Sequence, residues 1–288
     1  MWFRWRQVVG TGLGLALLIG LPRDGIGSHS WGGYHWARTS NPFTLQLGDN
    51  VSTAWDLYLD VASSDWTLSS VLDTTIVAGR VTNPKNCKPT SGRVEVCSAR
   101  YGFNGWLGVA SIWISGKHIT QGTVKLNDTY FDTPKYNTPA WRLFVMCQEV
   151  GHTFGLDHQD ENFSNGNLGS CMDYTSDPDG TLADPDQLSN ERPNQHDYDQ
   201  IGQIYTHLDS STTVSALLAS GRSGGGRGTS ETDGEASVGT GQWGKLVRST
   251  NRGRTEIYEL ELGKGQKIVT FVLWADPDID GNGGKGRK

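Results

Sequence analysis

The residues that could do chemistry are concentrated in Gln148-Glu149-Val150-Gly151-His152-Thr153-Phe154-Gly155-Leu156-Asp157-His158. On a helix, positions 148 and 152 are one turn apart and face the same way, with Glu149 projecting beside them. Gly155 can end that helix in a left-handed conformation and return the chain so that His158 approaches His152. Zinc accepts neutral imidazole nitrogen and carboxylate or carbonyl oxygen, and a catalytic zinc keeps one position for water. His152 and His158 are therefore candidate metal ligands. Glu149, beside them without ligating, is a candidate general base for a water attacking a carbonyl. The competing reading is a buried helix that carries two histidines and a glutamate by chance.

The chain around this stretch supplies the elements that would position it. Thr138 and Pro139 predict a helix start, with Thr138 as N-cap and Pro139 at the first helical position. Leu143, Cys147, Val150 and Phe154 give that helix an apolar face towards a sheet, with Gln148 and His152 facing a cleft. Upstream, residues 42–47 alternate as a strand, and Val51, Trp55, Tyr58 and Ala62 then share a helical face with Asn50 or Ser52 as cap. Residues 71–77, 93–97, 106–114 and 123–126 read as strands between glycine and proline punctuation. A last helix has Asp197 near its start and Ile201, Ile204, Tyr205 and Leu208 on one face. Beyond it, residues 210–241 form a serine- and glycine-rich linker. Residues 255–260 and 267–272 alternate as a hairpin too small to be stable alone, so it should dock elsewhere.

A net charge of −6 and a pI near 5.6, with no long basic run, speak against nucleic acid or an anionic membrane surface as partner. Arg4 and Arg6 followed by the apolar, glycine-broken run 8–21 read as an export signal, with a retained anchor as the alternative. Four cysteines in an exported chain imply disulfides, and no C-x-x-C spacing suggests a cysteine zinc site. Cys87 with Cys97 and Cys147 with Cys171 are the expected pairs, while the other two connectivities stay open.

The central stretch resembles the metzincin signature H-E-x-x-H-x-x-G-x-x-H of zinc peptidases that include matrixins and astacins. These enzymes carry a methionine turn beneath the metal, and Ser170-x-Met172-x-Tyr174 resembles the astacin and serralysin version. The resemblance covers roughly residues 42–208, with specific motifs only from 149 to 174. It implies an α+β fold: a twisted mixed β-sheet with two packed helices, an active-site helix, a Met-turn and a C-terminal helix. An edge strand, here 106–114, would border the cleft and pair with an extended substrate. Tyr174 inherits a role as zinc ligand or oxyanion stabiliser, and Glu149 that of general base. The matrixin cysteine-switch propeptide has no counterpart. The departure is Gln148, which stands where the family has its first histidine ligand. It can offer its amide oxygen, a weaker donor to zinc; alternatively Tyr174, Asp157 or His196 completes the site, or catalysis has been lost.

The expectation is thus a secreted, monomeric, zinc-dependent endopeptidase acting on protein or peptide substrates, with no stable membrane insertion once the signal is removed. The alternative is a catalytically silent extracellular binding domain that uses the same cleft, and a third reading is an exported structural protein attached through its hairpin. The expected divisions are a signal at 1–28, a peptidase-like domain at 40–209, a linker at 210–241, a hairpin at 242–275 and a polar tail at 276–288. His29, His35 and His118 read as surface or loop residues, and His196 as part of the last helix's cap. Asp177, Asp179, Asp184 and Asp186 could hold a structural calcium, though a polar loop is the simpler reading. The tail from Asp276 copies half an EF-hand loop, with Arg287 where a bidentate glutamate belongs.

Overall fold

A computed structural model describes residues 29–163, 165–182, 187–216, 242–250 and 254–276. The expected signal at 1–28, most of the expected linker, Asp184, Asp186 and nearly all of the expected tail lie outside the described residues. In chain order the elements are β1 (His35–Trp36), β2 (Phe43–Asn50), α1 (Asp56–Trp66), β3 (Leu72–Ala78), β4 (Val94–Ala99), β5 (Trp106–Ser115) and β6 (His118–Asn127). There follow α2 (Asp128–Phe131), α3 (Pro139–His152), α4 (Gln195–Ile204), β7 (Lys245–Thr250), β8 (Thr255–Gly263) and β9 (Gln266–Trp274). The architecture is mixed α+β, with one large mixed sheet and few helices.

The sheet runs β3-β2-β4-β6-β5-β9-β8-β7, with β1 pairing β6 off this path. Strands β3, β2, β4 and β6 are parallel, whereas β5, β9, β8 and β7 join antiparallel. Alternation in β2 sends Phe43, Leu45 and Leu47 into the core. Helix α1 buries Leu59, Ala62, Ser63 and Trp66, a helical stripe against α3 and the sheet. It starts at Asp56, later than the sequence suggests, and neither Asn50 nor Ser52 caps it with a side chain. Asn50 is instead committed to the Glu95 carboxylate (2.7 Å) and to the Val81 amide (3.0 Å).

Helix α3 begins as expected: the Thr138 hydroxyl accepts from the Trp141 amide (3.3 Å), with Pro139 in the first turn. The helix is buried almost all round, and Leu143, expected in its core face, is only half-buried. Its carbonyls receive indole and phenol donors from neighbouring elements. Trp66 Nε1 donates to Cys147 O (3.2 Å), Trp36 Nε1 to Thr153 O (2.9 Å) and Tyr205 Oη to Phe154 O (2.9 Å). The Cys147 carbonyl lies within the helix, whereas those of Thr153 and Phe154 lie just past its end, where no further turn of helix supplies a donor, so Trp36 and Tyr205 satisfy them. Gly155 then turns the chain at φ +93°, and a Cβ there would lie 2.1 Å from Tyr34 O, so no other residue fits.

The disulfides are Cys87–Cys97 and Cys147–Cys171, and no cysteine is free. The second ties α3 to the segment carrying Met172. Helix α4 has a capping box between Asn194 and Asp197, and Ile201, Ile204 and Tyr205 enter the core; Leu208 is exposed. Asn127, in a sequence that could accept a glycan, is fully buried and caps α2.

Three sequence expectations change. The C-terminal hairpin gains a third strand, β7, and continues the main sheet. The strand at 106–114, expected to be an open edge, is paired along its length by β9 from Trp106↔Trp274 to Ser115↔Gln266. The first residues of the expected linker are bound to the body: Thr213 N donates to Ala37 O and Ser215 N to Gly92 O (both 2.9 Å). Among the described residues, no helix is long and apolar enough to cross a membrane.

Candidate metal centre

The turn at Gly155 brings the two histidines together, with ring centroids 4.5 Å apart at 77°. His152 Nδ1 lies 2.9 Å from Leu156 O. A carbonyl only accepts, so Nδ1 carries the proton and Nε2 keeps its lone pair. His158 Nδ1 is 2.8 Å from Tyr174 Oη and 3.4 Å from Asp157 Oδ1. An ionised Asp157 favours the proton on that nitrogen too. With both Nδ1 atoms engaged by the protein, Nε2 is the atom left on each ring for a ligand, the arrangement found in metal-binding histidines.

Burial holds His152 well below the ordinary imidazole range, and the neighbouring His158 adds to the effect. His158 is lowered by burial as well, against the opposing pull of Asp157. Both rings are therefore neutral, as a metal ligand must be. Burial pushes Asp157 up, but His158 and Arg248 outweigh it and hold the carboxyl below its usual range. Arg248 of β7 pairs with Asp157 and lies 3.2 Å from Glu161.

Gln148 is fully buried and donates Nε2 to Cys171 O (2.9 Å), which leaves Oε1 without a partner. Glu149 is also buried, and neither carboxylate oxygen has a partner of ordinary hydrogen-bond geometry. Burial raises Glu149 well above the usual carboxylate range, with the Ala110 backbone only partly offsetting it. Its carboxylate packs on Gly108 of β5, where a Cβ would stand 2.5 Å from Oε1. Met172 lies directly beneath α3: a Cβ on Gly151 would meet its Sδ at 2.7 Å. Tyr174 is buried against His158, with ring centroids 4.1 Å apart, and burial raises its hydroxyl well above 10.

The structure thus gathers Gln148, Glu149, His152, His158, Met172 and Tyr174 in one region. It does not leave them in an open cleft. Phe271 of β9 stacks on the His152 ring, with centroids 4.2 Å apart and planes 7° apart. Phe271 and Arg248 were invisible to sequence reasoning as parts of this site. The only signal was the alternation of 267–272, which marks an inward face without saying what that face meets.

Other expectations sort differently. His196 joins His29 and Asp197 rather than completing the central site, and Asp157 groups with His158 and Glu161. His29 and His35 are buried, not on the surface. The Nε2 atoms of His35, His118 and His207 each lie 3.2 to 3.6 Å from Asp209 Oδ1, whose other oxygen binds Arg38. Asp177 and Asp179 accept from the amides of Thr181 and Leu182 as an ordinary polar turn. Asp276 pairs with Lys135 (2.6 Å), and the rest of the EF-hand-like tail lies outside the described residues.

No protein-family model matches the sequence, and no curated protein matches it. Among solved structures, the chain is similar to high choriolytic enzyme 1, a hatching-enzyme zinc protease from the medaka fish Oryzias latipes. That likeness has 13% sequence identity and a TM-score of 0.33, and it covers 60% of this chain and 94% of the other. It is too low to carry a functional assignment.

Proposed function

We propose that this chain is an exported zinc-dependent endopeptidase folded with its own C-terminal strands over the catalytic groups. The observation that carries the reading is the set of unpaired buried oxygens beside two neutral imidazoles. Gln148 Oε1 and both Glu149 oxygens lack partners in a region where His152 and His158 each keep Nε2 for a ligand. Unpaired buried oxygen is costly, and a divalent cation with its hydration supplies what such atoms need. The residues therefore fit zinc, with His152, His158 and the Gln148 amide oxygen as the holders. When bound, zinc would polarise a peptide carbonyl and ease deprotonation of water.

The protein's own part follows from where its groups lie. Glu149, kept apart from other charges against Gly108, accepts the proton of the attacking water and returns it to the leaving amine. Tyr174, anchored on His158, donates a hydrogen bond to the developing oxyanion. Met172 supports α3 from below, and Cys147–Cys171 holds the two segments in register. Strand β5 is the surface on which an extended peptide would pair, so β9 occupies the substrate's place and the protein is latent until β7–β9 move aside. Two disulfides and no free cysteine fit an exported, oxidised protein.

A second reading, a catalytically silent domain, is favoured by one observation: Phe271 fills the space over His152. Zinc analysis together with cleavage of an unfolded protein substrate by Phe271→Ala, with and without Glu149→Ala, separates the two. The peptidase reading expects bound zinc and a cleavage activity that Glu149→Ala abolishes. Only trace zinc after mild dialysis, and no Glu149-dependent cleavage, would sink it. Zinc without cleavage, with activity appearing only after Gln148→His, would identify the silent domain.

A further inference from the structure

Away from α3, a second group of ligand-type atoms converges. The atoms of His29, His196 and Asp197 all lie within 4.8 Å of one another. His29 Nδ1 is 2.9 Å from Asp157 O, so it is the N–H donor, and Nε2 bears a lone pair. That Nε2 is buried and has no partner. Asp197 is fully buried, and its Oδ2 accepts from Ser170 Oγ and Asn194 N (both 2.7 Å). These bonds lock the carboxylate so that Oδ1, also without a partner, lies 3.7 Å from His29 Nε2. His196 stacks on His29 with centroids 4.7 Å apart, and its Nδ1 is the third buried atom without a partner.

We propose that His29, His196 and Asp197 form a second divalent-metal site, of the zinc type. A separation of 3.7 Å is too long for a hydrogen bond to join the two atoms. It is close to the spacing of two ligands about 2.0–2.2 Å from one tetrahedral ion, roughly 3.4 Å. Two imidazole nitrogens and one carboxylate oxygen suit zinc rather than calcium or magnesium, which take oxygen sets. Two of the three ligands are already braced in the way metal ligands usually are: His29 by a backbone carbonyl, Asp197 by Ser170 and the α4 cap.

The position gives the metal a structural task. His29 O accepts from Asp157 N, next to His158, and Ser170 Oγ accepts from Met172 N (2.9 Å). An ion here would join the segment before β1, the turn holding Met172 and the start of α4. This inference is independent of whether His152 and His158 hold zinc.

The test counts zinc per chain in the full-length protein after saturation and mild dialysis, with thermal melting in parallel. His196→Ala should lower the count by one equivalent and abolish the part of the zinc-induced rise in Tm that His152→Ala leaves. His29→Ala, which leaves the first turn of α4 intact, should do the same and guards against a folding defect in the first variant. An unchanged zinc count in both folded variants overturns the second site. A count unchanged by His152→Ala would instead overturn the peptidase reading, so the two failures are distinguishable.

Discussion

Replacing Phe271 by alanine tests whether the C-terminal strands act as a separable cover. Phe271 is 1% exposed, and its ring meets His152 face to face and Trp31 edge-on (6.4 Å). Those contacts lie between β9 and the body, so they are lost when β9 leaves, even if the body stays folded. Removing a buried phenylalanine costs about 3–5 kcal/mol. Taking about 3 kcal/mol, at about 1.4 kcal/mol per tenfold change, the open population rises about 10²-fold. Amide hydrogen exchange reads this directly. Amides of β9, and those of β5 that bond to it, should lose about 10²-fold protection. Amides of β2, on the far side of β4 and β6, should keep theirs. An equal loss in β2 would show that the cover opens only when the whole protein unfolds. No loss in β9 would show that the ring does not hold it. Either result refutes the separable cover.

Further expectations follow from individual contacts. Gly108→Ala puts a methyl group 2.5 Å from Glu149 Oε1, and its three nearest neighbours are all atoms of the Glu149 side chain. In the Phe271→Ala background it should leave zinc content unchanged and lower kcat/KM by roughly 10²-fold, because a displaced base loses its alignment; unchanged kcat/KM would remove Glu149 from the reaction. Asp173 offers a pH test. Burial pushes its carboxyl up to about 6, against the Leu168 amide and Asn190. A folded value above the unfolded one means its contribution is present below about pH 4 and lost as pH rises through about 6. Asp173→Asn keeps the acceptor and cannot ionise. Urea unfolding should therefore show the variant gaining about 1–2 kcal/mol on the wild type between pH 4 and pH 7, half of the full shift after allowance for screening. Parallel pH profiles would count against it.

Local chemistry made much of the molecule legible in advance. Thr138-Pro139 and Gly155 bound α3 because capping, proline geometry and positive φ act within a few residues. Alternation located β2, β8 and β9, glycine and proline punctuation marked out β3, β4 and β5, and the spacing of 148, 149, 152 and 158 suggested that four side chains lie near one another before any packing was known. The disulfide pairs also agree with the expectation. Where the sequence failed, the deciding partner was distant in the chain. Asn50 looked like a helix cap, but Glu95 and Val81 claim it. His29 and His35 looked like loop residues because nothing local reveals that α4 and the segment after it pack over them. The largest difference is the sheet edge. A strand's sequence states that it has two hydrogen-bonding sides, but not which strand will satisfy the second one. The sequence by itself singled out Gln148, Glu149, His152 and His158 as neighbouring candidate groups, because their spacing is local; only the tertiary structure decided that His29 meets His196 and Asp197 and that Phe271 of β9 lies over His152, because those partners are separated by more than a hundred residues.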